Sequence, residues 1–322
     1  MRASAAAVAA WLVVGCCTGL AAGPVDFAQI GAEAGWVVHV DIDAVRNASL
    51  FQKSFHRVLT EHPQLEKQLD SLSALLDLDV RRDLYGITAY GTRFAQHEGV
   101  LLVHARFKPE ALQAKAGWLP EHQVIHHGRF DIHTWMDAKG TPDERRVAAA
   151  FFRDELVAFS PRIDDLKAAL DVLEGAAAGL PKESPLAAPV PEGTALLARA
   201  IRLSSAPVPF KSPLVTQSEA FSLVLGESSG QVFAQAQLRM KTPEAARLVK
   251  EIVEGVCAMA VLQGSDDPAL ADLLRRFEVR DHQTETTVAF RAPVEEVWRE
   301  LERQWTRLAP AGGHRPLRGS KS

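Results

Sequence analysis

Apolar and polar residues alternate in short runs along this chain, and those runs predict strands first. From Gly99 to Lys108, Leu101, Val103, Ala105 and Phe107 share one side, the two-residue period of a half-buried strand. From Gln231 to Lys241 the same period carries Val232, Ala234, Ala236, Leu238 and Met240. Each run passes a basic residue and enters a proline-led helix, at Lys108-Pro109-Glu110 and at Lys241-Thr242-Pro243-Glu244. Thr242 suits a helix N-cap and Pro243 the first helical position. Further strands read at Trp36–Asp43, Asp83–Gly91, Thr194–Ile201 and Glu219–Gly226. Two amphipathic helices, about residues 49–60 and 64–77, follow the first of them.

The same plan is read twice. Phe152-Arg153-Asp154-Glu155-Leu156 predicts a tight hairpin feeding a helix with Ile163, Leu166, Leu170 and Leu173 on one stripe. A longer hairpin, Phe277–Asp281 with Thr287–Pro293, feeds a helix carrying Val294, Val297, Trp298, Leu301, Trp305 and Leu308. Matched strand–Pro–helix and hairpin–helix anchors predict a tandem duplication. The fold class is therefore α+β, as two tandemly repeated antiparallel sheet-plus-helix units. The first repeat covers residues 30–178 and the second 194–308, joined by a Pro/Gly-rich linker at 179–193. Ser205–Pro213 is a second proline-rich stretch, and 309–322 reads as a disordered tail.

Residues 1–22 change the picture from fold to address. Arg2, an apolar run from Ala5 to Val14 and then small residues read as an export signal. The run is short of the roughly 20 apolar residues that span a bilayer. Val13-Val14-Gly15-Cys16 has the form of a lipobox, which makes Cys16 a candidate for lipidation and a membrane anchor. Gly19-Leu20-Ala21 offers ordinary cleavage after Ala21 or Ala22 instead. Either way the expected location is extracytoplasmic: periplasmic, secreted, or lipid-anchored.

Composition narrows the partners. A net charge of −4, with charges interspersed, gives no electrostatic footprint for nucleic acid. Apolar residues at 47% support a real core. Beyond the leader, Cys257 stands alone, in an apolar run that predicts a buried and inert thiol. Asp79-Val80-Arg81-Arg82-Asp83-Leu84-Tyr85-Gly86, the alternating strand after it and the Phe-Arg-Asp hairpin resemble exported bacterial proteins that have no assigned activity. The resemblance implies an extracytoplasmic compartment and a duplication, and no chemistry.

Candidate chemistry is sparse. Gly226-Glu227-Ser228-Ser229-Gly230 matches the G-x-S-x-G hydrolase pattern, but strands on both sides make it a hairpin loop. Asp41-Ile42-Asp43 offers two carboxylates along one strand, and Asp43 a cap for the following turn. By strand alternation His39, Asp41, His104 and His133 all lie opposite apolar sets, and together they form a candidate metal site. The competing reading is the wet face of a one-sided sheet, with Gln235, Gln237 and Arg239 as its counterpart in the second repeat. His126-His127-Gly128-Arg129 reads as a hairpin turn. No cofactor motif occurs. The leading reading is a non-enzymatic binding, scaffold or envelope-associated protein, its partner an unknown ligand or envelope protein. A metal-dependent hydrolase and a periplasmic lipid or protein carrier are the alternatives.

Overall fold

The computed structural model describes residues 24–95, 98–141, 144–205, 213–263 and 267–308. The first half supplies β1 (Trp36–Asp41), β2 (Leu84–Gly91), β3 (Val100–Ala105), β4 (Gln123–His127), β5 (Phe130–Asp137), β6 (Arg145–Arg153) and β7 (Leu156–Ser160). The second supplies β8 (Thr194–Ile201), β9 (Ser218–Ser228), β10 (Gln231–Met240), β11 (Glu278–His282) and β12 (Glu285–Pro293). All twelve join one antiparallel sheet, in the order β11-β12-β10-β9-β8-β1-β2-β3-β7-β6-β5-β4. The described helices are α1 (Ile42–Asn47), α2 (Ser49–Glu61), α3 (Pro63–Leu76), α4 (Pro109–Ala116), α5 (Ile163–Glu174), α6 (Pro213–Thr216), α7 (Pro243–Gln263), α8 (Pro268–Leu274) and α9 (Val294–Leu308).

The α+β class stands, but the two expected sheets are one. β1 and β8 pair antiparallel, from Trp36↔Ala200 to Val40↔Leu196. Each would otherwise leave a row of unpaired backbone groups on the inner edge of its half, and pairing removes both edges together. Outward from this seam the first half runs β1-β2-β3-β7-β6-β5-β4 and the second β8-β9-β10-β12-β11. In both halves the last strand of the closing hairpin lies against the third strand.

The first half is covered on both faces. On one face Val37, Tyr90, Leu102, Ala158 and Leu197 pack under α5, whose Leu166 and Leu170 are fully buried, and under Ile30, Leu180 and Leu186. On the other, Val40, Ile87, Val103 and Val157 meet Val45 of α1, Leu69 and Leu72 of α3, and Leu112 of α4. The stripe of α5 therefore does what its spacing predicts. In the second half α7 packs Ala246 and Val249 against Met240, with Thr242 accepting from the Ala245 amide as N-cap. The closing helix α9 packs on α2 and α8, with the Arg57 guanidinium over the Trp305 ring and Arg303 bonded to Asp267.

Two local expectations change. The first strand ends at Asp41, because Asp41 Oδ1 accepts from the Ala44 amide at 2.8 Å and starts α1. The capping role expected of Asp43 belongs to Asp41. Asp43 lies in the first turn and pairs with the fully buried Arg46, which also donates to the Leu84 carbonyl at 2.6 Å. The Pro/Gly-rich stretch 179–193 packs onto the first half. Ser184 caps a short 3-10 turn at Pro185–Ala187, and Leu186 is fully buried in the first core. Among the described residues no helix is long and apolar enough to cross a membrane. The leader with Cys16, the tail 309–322 and most of Ser205–Pro213 lie outside the described residues.

Candidate functional site

The histidine candidates divide between the two faces of the sheet. His39 pairs with Thr88 across β1 and β2, and its Nδ1 stands 2.8 Å from Thr88 Oγ1. Its Nε2 is buried with no hydrogen-bond partner. Burial, with His104 nearby, pushes the imidazole down to about 4, so His39 is neutral at pH 7. Asp41 pairs with Gly86, and Gly86 with His104, so these residues share a face. Gly86 has no side chain, and the His39 ring lies over it: a Cβ there would stand 3.5 Å from His39 Cε1. Burial lowers the His104 pKa while Asp26 opposes the shift. Burial pushes the Asp41 carboxyl up to about 6, although that side chain is already engaged as a helix cap.

His133 does not join them. It pairs with Ala149, Ala149 with Phe159, and Phe159 with Leu101. Directly paired residues point to one face, so His133 shares the face of Leu101 and lies opposite Leu102 and His104. It stacks instead on His122, Nδ1 to Nε2 at 3.0 Å. The structure thus brings His39, Asp41 and His104 to one face and leaves His133 on the other. Among the described residues no group of three or more His, Cys, Asp or Glu side chains is arranged to hold a metal. The supposed wet face is also dry here, since Leu102 and Val37 on it are fully buried.

The same face becomes polar on crossing into the second half. One row of paired residues reads Leu102, Thr88, His39, Leu197, Val224, Gln235, Ala289. The next reads Val37, Arg199, Ser222, Gln237, Thr287. Both start in the core under α5 and end on an open floor where Gln235 and Arg239 are exposed. Glu285 accepts from Gln237 Nε2 at 3.0 Å and from Arg239 Nε at 2.9 Å, so the floor carries little net charge. One wall is the proline-rich segment. Arg199, only 5% exposed, donates to the carbonyls of Leu186 (3.0 Å), Ala188 (2.5 Å) and Pro189 (2.9 Å) and to Ser222 Oγ (3.3 Å). Proline brings carbonyls without matching N–H donors, and the guanidinium supplies the missing partners. Between wall and floor lies a groove of about 210 Å³, lined by Pro189, Ser222, Gln235, Gln237, Arg239 and Glu285 among others. Amide, guanidinium and carboxylate groups converge there to donate and accept hydrogen bonds.

Sequence reasoning read Gln235, Gln237 and Arg239 as a solvated face and missed Arg199. Its signal was a lone cation inside the apolar run Thr194–Ile201, a residue type that is rarely buried without strong partners. Gly226–Gly230 does form a hairpin turn between β9 and β10, with Ser229 and Gly230 at φ 51° and 71°. His126 and His127 end β4 before a turn at Gly128. His127 and Arg129 bond Asp171 and Glu174 of α5, each at 2.7 Å, which clips that hairpin to the helix. Cys257 is half-buried, less covered than its apolar run predicts.

The chain matches no protein-family model and no curated protein by sequence. Among solved structures it is similar to crystal forms I, III and IV of TP0453, at 8–10% identity and TM-scores of 0.44–0.45. Those alignments cover 87–88% of this chain and 97–99% of the other. A likeness of this strength speaks to neither activity nor partners.

Proposed function

We propose that this is an exported, non-enzymatic binding module of the cell envelope, which holds a polar, uncharged ligand on the open sheet face of its second half. The observation carrying this reading is the contrast between the halves. α5 and the proline-rich segment close one face of the first half, whereas the continuation of that face presents Gln235, Gln237 and Arg239 to solvent. Amide side chains beside an internally neutralised Arg239–Glu285 pair, with the Arg199 guanidinium already engaged by four acceptors, suit hydroxyl or peptide groups. A tandem origin for the halves is part of the proposal. The shared strand order and the proline-led helices at Pro109 and Pro243 support it. The leader supports export, and Cys16 remains the candidate for acylation.

Hydrogen exchange tests the site. With a panel of oligosaccharides and short peptides, protection is expected over residues 185–191, 220–224 and 235–239. Protection centred on His39, His104 or His133 instead would move the site to the first half and defeat the proposal. Intact mass of the protein recovered from the envelope fraction tests the address. A diacyl or triacyl mass on Cys16 identifies an anchored form, a start near Gly23 a released one, and an uncleaved leader in the cytosol contradicts export.

A further inference from the structure

α7, the longest described helix at 21 residues, spans about 31 Å and leaves one side uncovered. Ala246 and Val249 face the sheet. Leu248, Ile252, Val256, Met259 and Leu262 are 54, 63, 61, 60 and 72% exposed. No charged residue occurs from Gly255 to Gln263. Leu248, Ile252, Gly255, Met259 and Leu262 recur at alternating steps of four and three, the spacing of a coiled-coil seam. The stripe offers on the order of 500 Å² of apolar surface, the size of the largest patch on a typical monomer, which is often functional.

We propose that α7 is a self-association seam, docking antiparallel on α7 of a second copy of this chain. The seam is complementary to itself in that orientation. With the two-fold axis between Val253 and Glu254, Leu248 meets Met259 of the second copy, Ile252 meets Gly255, and Ala245 meets Leu262. Ile252 thus faces a glycine and Leu262 an alanine, while Leu248 packs on Met259, and Gly255 admits the approach of Ile252. Joining two stripes buries about 1,000 Å², the lower bound for a specific interface.

Charge favours this occupant over a lipid surface. Helices that lie on membranes carry a free basic rim. Here Arg247 is 3.7 Å from Glu251, and Lys250 is 3.0 Å from Asp281. Three carboxylates on the helix outnumber its two cations. In the antiparallel register Arg247 stands opposite Ala260 and Glu251 opposite Val256, so neither of these charges directly faces a like one. The adjoining edge strand β11 carries Glu278, Arg280 and Asp281, charges that oppose strand-to-strand pairing.

Sedimentation equilibrium of the chain starting at Gly23 tests the proposal. The wild type should dimerise reversibly, and I252E with M259E should raise the dimer dissociation constant at least about 100-fold. Far-UV circular dichroism and the urea midpoint verify folding, and V256E, which sets a like charge opposite Glu251 of the second copy, is a milder substitution of the same stripe. L75E, at another exposed leucine, should leave the dimer intact. A wild type that stays monomeric at every attainable concentration overturns the proposal. So does a dimer indifferent to I252E/M259E and V256E. Co-flotation of a monomeric wild type with phosphatidylcholine vesicles, lost in I252E/M259E, would assign the stripe to lipid and overturn it equally.

Discussion

Replacing Arg199 by Met removes the fastening between the proline-rich segment and the sheet while keeping an unbranched apolar stem. The guanidinium makes four hydrogen bonds, three of them to backbone carbonyls, and none of these partners is a carboxylate. Hydrogen bonds from a charged donor contribute about 1.5–3 kcal/mol each, and the cost of burying an uncompensated cation offsets much of that sum. Burial lowers the Arg199 pKa, which is the sign of that cost. The net loss expected for Arg199→Met is about 2–4 kcal/mol, or a Tm lower by about 3–6 °C for a chain of this size. Urea unfolding should show a lower midpoint at unchanged slope. Peptide-level hydrogen exchange should accelerate over residues 182–192 and little elsewhere. Arg199→Lys, a point charge without the planar fork, should fall between the two. Stability within about 0.5 kcal/mol of wild type with unchanged exchange would refute the reasoning. Leu186 packing alone would then hold the segment.

Other outcomes follow from the same geometry. The folded His39 titrates near 4 against an ordinary 6.5, so the unfolded chain takes up this proton first as pH falls. Stability is then lost between pH 6.5 and about 4, by up to about 3 kcal/mol from this group, with His104 adding in the same direction. Asp41, raised to about 6, opposes the trend, because there the folded state protonates first. His39→Gln should therefore lose less stability than wild type between about pH 7 and 4.5, and equal losses would sink the assignment. Gly193 has φ 77°, and a Cβ there would stand 2.1 Å from the Glu227 carbonyl oxygen. Gly193→Ala should cost more than about 2 kcal/mol in urea unfolding; a neutral effect would mean the β8–β9 contact yields easily.

Much of this fold was legible because alternation within a strand is a local property. The apolar runs at Gln231–Met240 and Thr194–Ile201, the Thr242 cap and the α5 stripe follow from short-range patterns and appear where expected. What local patterns lack is parity across a sheet. His104 and His133 each oppose apolar neighbours, but β7 and β6 lie between their strands. The register through Leu101, Phe159 and Ala149 puts the two imidazoles on opposite faces; one residue of slip would have united them. Nor does a stripe say which face it covers. Val294–Leu308 resembles the helix that closes the first half, yet it packs on α2 and α8. The edge pairing of β1 with β8 is likewise invisible in either strand alone.

The central claim is that the open polar face of the second half is a ligand site. Calorimetric titration of the chain starting at Gly23 and of Gln235→Ala/Gln237→Ala, against uncharged oligosaccharides and peptides, tests it most directly. The wild type should bind at least one of these classes saturably, with affinity weakened at least about tenfold in the double variant. Binding of equal strength to both proteins, or no binding across the panel, would contradict it.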